Sequence, residues 1–283
     1  MSIRSVLKVL GFLVLVTACC LVLPGLISLA YGDPDWPWFL VAAVGGAALG
    51  GLTLRLLKEA PDLRVREGFA VVAFGWLVVG LLGAVPGWLS GQMPSFTDAA
   101  FESISGFTTT GASILSDISG RSHGTLFWRA LTHWLGGMGI VLLAVAILPL
   151  LGVGGMQLFR AEVPGPVAER LTPRISQTAK LLWGVYVLLT VLETVALVIA
   201  GMSPFDALCH AMATMATGGF STRNASIAGF DSAAIEMVVV LFMVIAGANF
   251  ALHFQVLRGR PGRLFRDAEF RFYMGVLGGA TVF

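Results

Sequence analysis

Long apolar runs separated by short polar stretches dominate the chain, and they predict membrane-crossing helices. A run of about 20 apolar residues is long enough to cross a hydrocarbon core of about 30 Å. A last apolar run begins near Phe270 and is cut off at Phe283. The six complete runs are Val6–Ala30, Trp36–Leu57, Phe69–Leu89, Leu126–Leu151, Lys180–Ala200 and Ile235–Leu257. The pattern predicts an all-α polytopic membrane protein.

Two stretches between these runs match each other at a constant offset of 108 positions. They are Ser95–Ser113 (SFTDAAFESISGFTTTGAS) and Ser203–Ser221 (SPFDALCHAMATMATGGFS), and each ends in Thr-x-Gly-x-Ser. The flanking runs overlay at the same offset, so each unit consists of span, pore loop and span. Parallel repeats of this kind are usually related by an axis along the membrane normal.

The repeat predicts how the chain is divided. The first two spans fall outside it and form a peripheral hairpin. The predicted order is a peripheral transmembrane hairpin (1–60), a first span–pore-loop–span unit (61–160), a second such unit (161–262) and the start of a third (263–283). The connections, Lys58–Gly68, Gly152–Thr178 and Arg258–Arg271, are rich in Gly, Pro and Arg.

Both loops open with a helix-capping pattern, Ser-x-x-Asp. A serine cap followed three residues later by an acid satisfies amide donors at a helix start, and Pro204 suits the first helical position. We expect short helices over about Thr97–Ser105 and Pro204–Met215. Their carboxyl ends would carry partial negative charge near the middle of the membrane, which favours a dehydrated cation.

After each short helix the chain must return outward through irregular backbone. Such backbone is tolerated at membrane depth only where protein surrounds it or it lines an aqueous path. Rings of backbone carbonyls replace the hydration shell of potassium in channel filters, and glycine can adopt angles forbidden to other residues. The predicted ion ligands are the carbonyls of Thr108, Thr109, Thr110, Gly111, Ala216, Thr217, Gly218 and Gly219.

Composition and charge agree with a membrane location. The chain is 57% hydrophobic and 12% charged with a mean hydropathy of +0.86, which excludes an ordinary soluble globule. With a cytoplasmic amino terminus, only Arg121, Arg129 and Arg223 of the 18 Lys and Arg residues fall on the outer side. The positive-inside rule therefore predicts this orientation. Val16–Cys19 resembles a lipoprotein cleavage box, but the apolar run continues to Ala30, which favours an uncleaved span.

Several polar side chains near the loops or within the spans are candidates for supporting roles. Asp98, Glu102 and Asp206 near the outer mouth could attract cations, although helix capping is the favoured role of the two aspartates. Glu193 lies inside the fifth span, where an ionised carboxylate is expensive; it is either functional or a neutral, hydrogen-bonded side chain. Asn249 in the sixth span is expected to join helices rather than to bind ions.

An enzyme is the less favoured interpretation. An intramembrane hydrolase needs a serine activated by histidine, but no Gly-x-Ser-x-Gly occurs near Ser103 or Ser113. His133, His210 and His253 lack metal-site spacing and are expected to be structural. The Gly136–Gly139 cluster is expected to permit close contact with a neighbouring pore helix. No covalent chemistry and no bound organic cofactor are predicted.

Several motifs give the chain a family resemblance. The segments 107–113 (FTTTGAS), 216–222 (ATGGFST) and 133–140 (HWLGGMGI), with the early Arg66–Phe69, resemble bacterial Trk/Ktr-type potassium uptake transporters, in the Trk branch. The resemblance covers essentially the whole chain. It implies four span–loop–span units around one axis, with Gly111 and Gly219 as filter glycines and K⁺ in the filter. It also implies a homodimer with a cytosolic nucleotide-binding regulatory subunit, in the bacterial inner membrane.

Two filter segments cannot surround an ion, so either the chain is part of a longer one or two copies associate. A stop within an apolar segment favours the first expectation. A non-conducting structural or assembly fragment is the alternative function. Serine in place of a filter glycine often marks sodium permeability in related transporters, and the two glycines here favour potassium. Coupling to protons or sodium, whether as symporter or channel, stays open.

Overall fold

The computed structural model describes residues 2–57, 65–147 and 168–282, in which the regular elements are helices. In chain order they are α1 (Ile3–Tyr31), α2 (Trp36–Leu56), α3 (Val65–Leu89), α4 (Phe96–Phe107), α5 (His123–Ile147), α6 (Ala168–Ile199), α7 (Pro204–Met215), a 3₁₀ turn (Ser226–Phe230), α8 (Ala233–Ala246), α9 (Phe250–Leu257), α10 (Gly262–Arg266) and α11 (Ala268–Val282). The predicted all-α class is confirmed. The predicted boundaries at 60/61 and 160/161, and most of the two connections that contain them, lie outside the described residues.

Four of the described helices are long and apolar enough to cross a membrane. They are Ile3–Tyr31, Trp36–Leu56, Glu67–Leu89 and Ala179–Ile199, which correspond to the first, second, third and fifth predicted spans. The fourth predicted span falls on α5, and its predicted end at Leu151 lies outside the described residues. Large apolar side chains such as Val44 on α2, 69% exposed, cover the outside of these helices, as lipid contact requires.

The sixth predicted span, Ile235–Leu257, is not a single straight helix. Helix α8 ends at Ala246, and α9 begins at Phe250 after a bend of 100°. The physical reason is a new helix start: the side chain of Asn249 accepts a hydrogen bond from the Ala251 N–H at 3.0 Å. Asparagine is a strong N-cap residue, and its extended backbone interrupts the helix that precedes it.

One apolar core joins the hairpin to the two loop regions. Side chains from α1, α2, α3, α5 and α7 meet in it, among them Leu21, Phe39, Val79, Trp128 and Met212. A second core packs α5, α6, α7 and α8 around Met138, Tyr186, Met215 and Phe242. Because α5 and α7 contribute to both, α5 lies at the centre of the described fold, beside both short helices.

Candidate functional site

The short helices α4 and α7 begin with the predicted caps. The Ser95 hydroxyl accepts from the Asp98 N–H at 3.1 Å and donates to the Asp98 carboxylate at 2.8 Å. Ser203 and Asp206 repeat these bonds at 3.1 and 3.0 Å. The capping role predicted for Asp98 and Asp206 is confirmed, and α7 has the predicted bounds, whereas α4 extends beyond Thr97–Ser105 at both ends.

Both short helices end in the same turn, at positions 108 residues apart. The N–H of Thr109 donates to the Gly106 carbonyl at 3.0 Å, and the N–H of Thr110 donates to the Ser105 carbonyl at 3.0 Å. In the second loop, the N–H groups of residues 217 and 218 donate to the carbonyls of residues 214 and 213 at 2.8 and 2.9 Å. This pair of bonds is the Schellman motif, which normally places glycine at the left-handed residue.

Threonine occupies that left-handed position in both loops. Thr109 and Thr217 each have φ of 54°, a conformation that is a genuine outlier for a β-branched residue. Two residues further on, Gly111 and Gly219 have φ of 74° and 95°, a backbone conformation that glycine adopts more readily than other residues. Strained residues of this kind cluster at functional sites, where the surrounding structure holds them in place.

The two irregular segments meet directly. A Cβ on Gly111 would overlap the carbonyl oxygen of Gly218, so only glycine permits the observed approach of the two backbones. A Cβ on Gly219 would have no heavy atom within 4 Å among the described residues. The structure thus brings residues 108–111 and 216–219 together, as a shared ion pathway requires. Their role as ion ligands stays a prediction.

One face of α5 supports both segments. A Cβ on Gly136 would overlap the Phe107 carbonyl at the end of α4, and one on Gly137 would lie 2.9 Å from the Ala216 Cα at the end of α7. The predicted close contact of the Gly136–Gly139 cluster with a pore helix is therefore confirmed. The same face also contacts Gly106, through Thr132, and Gly218, through His133.

Glu102 was predicted to attract cations near the outer mouth, and the structure shows it in a buried ion pair. Its side chain is buried and forms a 2.7 Å ion pair with Arg129 on α5. It also accepts from the Ser113 hydroxyl at 2.9 Å and from the Ile114 N–H at 3.1 Å. A carboxylate neutralised in this way adds little attraction for cations at the mouth. We therefore correct its role to that of a buried partner of Arg129.

The second loop has a different group at the equivalent place. His210 stands 108 positions after Glu102, and its Nε2 lies 2.9 Å from the hydroxyl of Ser221, the counterpart of Ser113. Its Nδ1 lies 2.8 Å from the Asp206 carbonyl, so hydrogen bonds account for this histidine as predicted. Asp206 also accepts from the Thr222 hydroxyl at 2.6 Å, which ties the start of α7 to the returning chain.

The two remaining candidates lie on α6 and at the start of α9. Glu193 on α6 is fully buried, and among the described residues neither of its carboxylate oxygens accepts a hydrogen bond of normal geometry. Thr214 on α7 is the polar side chain with which it interacts. Asn249 is exposed and caps α9, a role within its own helix rather than the predicted one between helices.

Arg129 and His133 are the site residues that the sequence did not reveal. Arg129 appeared only as an exception to the charge rule, although a buried arginine in an apolar run needs an acidic partner, which was a usable signal. His133 was expected only to be structural, and its ring stacks on Phe220 with centroids 4.0 Å apart. In the part of the chain that the structure describes, no group of three or more His, Cys, Asp and Glu side chains could hold a metal ion. The predicted potassium ligands are carbonyls, a different kind of site.

The chain is similar in sequence to known proteins over nearly its whole length. A sequence model of the family described as TrkH: Cation transport protein matches residues 43–278. The Trk system potassium uptake protein TrkH of Escherichia coli (strain K12) is 46% identical over 281 residues, which cover 98% of this chain and 58% of that protein. The protein of the same name from Halomonas elongata is 48% identical over 288 residues, covering 100% and 59%.

A solved structure matches as well. The crystal structure of the potassium transporter TrkH from Vibrio parahaemolyticus superposes with a TM-score of 0.85 at 37% sequence identity. The match covers 97% of this chain and 56% of the other. The chain therefore spans somewhat less than three fifths of the length of the relatives it matches.

Proposed function

This chain belongs to the TrkH family of cation transport proteins, and on that premise we propose that it takes part in potassium uptake through a filter of backbone carbonyls. The relatives are named potassium uptake proteins, and the solved structure is named a potassium transporter. These relatives are transporters and not enzymes, and the function proposed here includes no catalytic step. The chain matches 58% of the length of the Escherichia coli protein. We therefore propose, for the whole protein that contains it, the transport activity, the ion and the partners.

The meeting of the two irregular segments is the observation that carries the proposal. Left-handed backbone occurs at the same two places in both, at Thr109 and Gly111 and at Thr217 and Gly219. Gly111 approaches the Gly218 carbonyl more closely than any other residue would allow. A strained backbone that is duplicated and brought to one point is expected where peptide oxygens are aimed at a common ligand.

The mechanism needs only positioned oxygens. Carbonyls of residues 108–111 and 216–219 replace water around a dehydrated K⁺, while the carboxyl ends of α4 and α7 add partial negative charge. Asp98 and Asp206 cap the short helices and face the outer mouth, where their charge raises the local cation concentration. Glu193 holds a place behind α7 rather than one on the ion path.

The proposed organisation follows the sequence repeat. Residues 1–60 form a peripheral hairpin, 61–160 and 161–262 form two span–pore-loop–span units, and 263–283 begin a third. The matching caps, turns and glycine angles of the two loops support this division. A closed ring around an ion needs two further segments, from additional sequence or from a second copy.

We place the protein in the bacterial inner membrane with a cytoplasmic amino terminus, because the Lys and Arg residues collect on that side. A homodimer and a cytosolic nucleotide-binding regulatory subunit complete the proposal. Those two partners rest on the family resemblance alone.

Growth of potassium-uptake-deficient cells at low external potassium tests the function. The full-length gene product should restore growth, and Gly111→Asp or Gly219→Asp should abolish it, because each puts a carboxylate and a strained backbone into the filter. Gly91→Asp is the matched control: Gly91 also has positive φ, at 72°, but lies in an exposed turn with no heavy atom near its Cβ position. This control should still restore growth.

Flux of rubidium-86 into vesicles containing the purified protein separates conduction from an indirect effect on growth. We expect flux for the unchanged protein and for Gly91→Asp, and none for the two filter variants. Growth and flux that survive both filter substitutions would refute the carbonyl filter. A complete lack of flux in the unchanged protein would favour the structural alternative.

A further inference from the structure

The inner face of α5 contacts both filter segments through residues spaced three and four apart. Arg129, Thr132, His133, Gly136 and Gly137 recur at this spacing and therefore share one side of the helix. The four residues that follow Arg129 in this set contact the ends of α4 and α7 or the Gly218 backbone. Thus a single helix carries the contacts that set where each segment lies relative to the other.

Arg129 extends this support to the chain that leaves each segment. Its Nη1 donates to the Ser221 carbonyl at 3.1 Å, and its Nη2 donates to the Ser113 hydroxyl at 3.3 Å. Ser113 follows Gly111 by two residues, and Ser221 follows Gly219 by two. One guanidinium therefore holds the two equivalent points just beyond the filter.

The Arg129 side chain is itself fixed on several sides. Its Nε donates to Glu102 at 2.7 Å, and its guanidinium carbon lies 4.1 Å from the centre of the Phe220 ring. Both side chains of the ion pair are almost fully buried, at 3% and 1% exposure. Pairs of this kind are weak evidence for stability, and their best-attested use is to specify one arrangement.

We propose that Arg129 is a positioning residue that fixes the separation of the two filter segments and thereby sets the preference for potassium over sodium. The inference rests on the proposed function, because it concerns the selectivity of the same filter. Selectivity depends on either the size of the carbonyl cage or the number and field of its oxygens. Both change if the segments move apart.

Two variants disrupt the contacts of Arg129 with the two segments in different ways. Arg129→Lys keeps the positive charge, but a compact ammonium cannot reproduce the planar fork that reaches Glu102, Ser113 and Ser221 together. The double variant Arg129→Gln with Glu102→Gln removes both charges, so no unpaired charge is left buried. Arg121→Lys is the matched control, since the Arg121 side chain donates to the backbone carbonyls of Asp117 and Gln92 and, among the described residues, to neither filter segment.

The first measurement is the ratio of potassium to sodium permeability in vesicles containing the full-length protein. The ratio should fall by about tenfold in the double variant, which corresponds to about 1.4 kcal/mol of lost discrimination between the two ions. Arg129→Lys should also lower the permeability ratio while the protein is present at normal abundance. Arg121→Lys should leave the ratio unchanged. A wild-type ratio in the double variant would overturn the proposal.

A second measurement tests the positioning role of Arg129 without measuring ion flux. Spin labels attached at Ile114→Cys and Ala225→Cys, in a background free of native cysteines, report the separation of the two returning chains. The distance distribution should broaden in the double variant and stay narrow in Arg121→Lys. Absence of flux in vesicles containing the unchanged protein would refute the proposed function. An unchanged distance distribution in the double variant would refute the positioning role of Arg129.

Discussion

At the scale of single residues, the threonines at the filter turns carry the clearest physical cost. An L-residue in left-handed backbone is disfavoured by roughly 1–2 kcal/mol, and Thr109 and Thr217 both accept it. Glycine would remove the strain but also the side chain. In the first loop the hydroxyls of Thr108 and Thr110 lie 2.8 Å apart on either side of the strained residue and bond to each other. Tight local bonding of this kind keeps the turn in one conformation.

Alanine at the two filter glycines should have unequal effects. Gly111→Ala adds strain of roughly 1–2 kcal/mol and overlaps the Gly218 carbonyl, which adds about 1–3 kcal/mol of overpacking. Gly219→Ala meets no heavy atom nearby, so the strain alone should lower the unfolding free energy. Thermal unfolding of the purified protein checks the order.

Gly91→Ala serves as the reference for strain without a filter role. Its unfolding temperature should match that of Gly219→Ala, while rubidium-86 flux should fall only in Gly219→Ala. Equal unfolding temperatures for Gly111→Ala and Gly219→Ala would contradict the close approach at Gly111.

At the scale of elements, α5 contacts the ends of both short helices and so supports the two segments proposed as the filter. Gly136→Ala should destabilise the protein by about 1–3 kcal/mol, because the new methyl group overlaps the Phe107 carbonyl. Flux should fall with it. Gly184→Ala on α6 is the matched control, since a Cβ there meets nothing within 4 Å. Its helix should be unchanged or stabilised by up to about 1 kcal/mol. Thermal unfolding of both variants distinguishes the two sites, and equal values would remove α5 from its supporting role.

The elements also show what local sequence can and cannot reveal. The caps at Ser95 and Ser203 were predictable, because each depends on residues three apart. The pair of Glu102 and Arg129 was not, since its members lie on different helices and several acids compete for one arginine. The break at Asn249 was hidden because hydropathy registers an apolar run but not a cap inside it.

The cap at Asn249 can be tested with a matched pair. Asn249→Ala removes the side-chain acceptor for the Ala251 N–H and should cost about 0.5–2 kcal/mol. Asn249→Ser keeps a capping oxygen and should stay close to the unchanged protein. Thermal unfolding measures both. If serine were as harmful as alanine, the side chain would have a role other than capping.

At the scale of the whole molecule, polar contacts join parts that are far apart in sequence. Asp33 in the turn between α1 and α2 accepts from the His123 N–H at 2.7 Å, at the start of α5. An acid at a helix amino terminus is favoured by the helix dipole. Asn224 after the second segment accepts from the Ile118 N–H at 2.6 Å, after the first. The hairpin and both loops are therefore fastened at one end of the fold.

The bent pair α8–α9 decides how the described chain is threaded through the membrane. Helix α8 has 14 residues, which at 1.5 Å each reach only about 21 Å, less than the hydrocarbon thickness. The pair is therefore either a broken span or a re-entrant segment. The charge rule favours a span, because Arg258, Arg260, Arg263 and Arg266 follow it.

Single cysteines in a cysteine-free background test this threading with a membrane-impermeant maleimide. Ala225→Cys, which lies before the pair, should be labelled in intact spheroplasts. Arg260→Cys, which lies after it, should be labelled only once the membrane is permeabilised, like the reference Arg55→Cys at the end of α2. All three positions are exposed in the structure, so burial cannot hide a cysteine. Labelling of Arg260→Cys from outside would mean that the pair turns back within the membrane, and the charges after it would then break the rule that orients the rest of the chain.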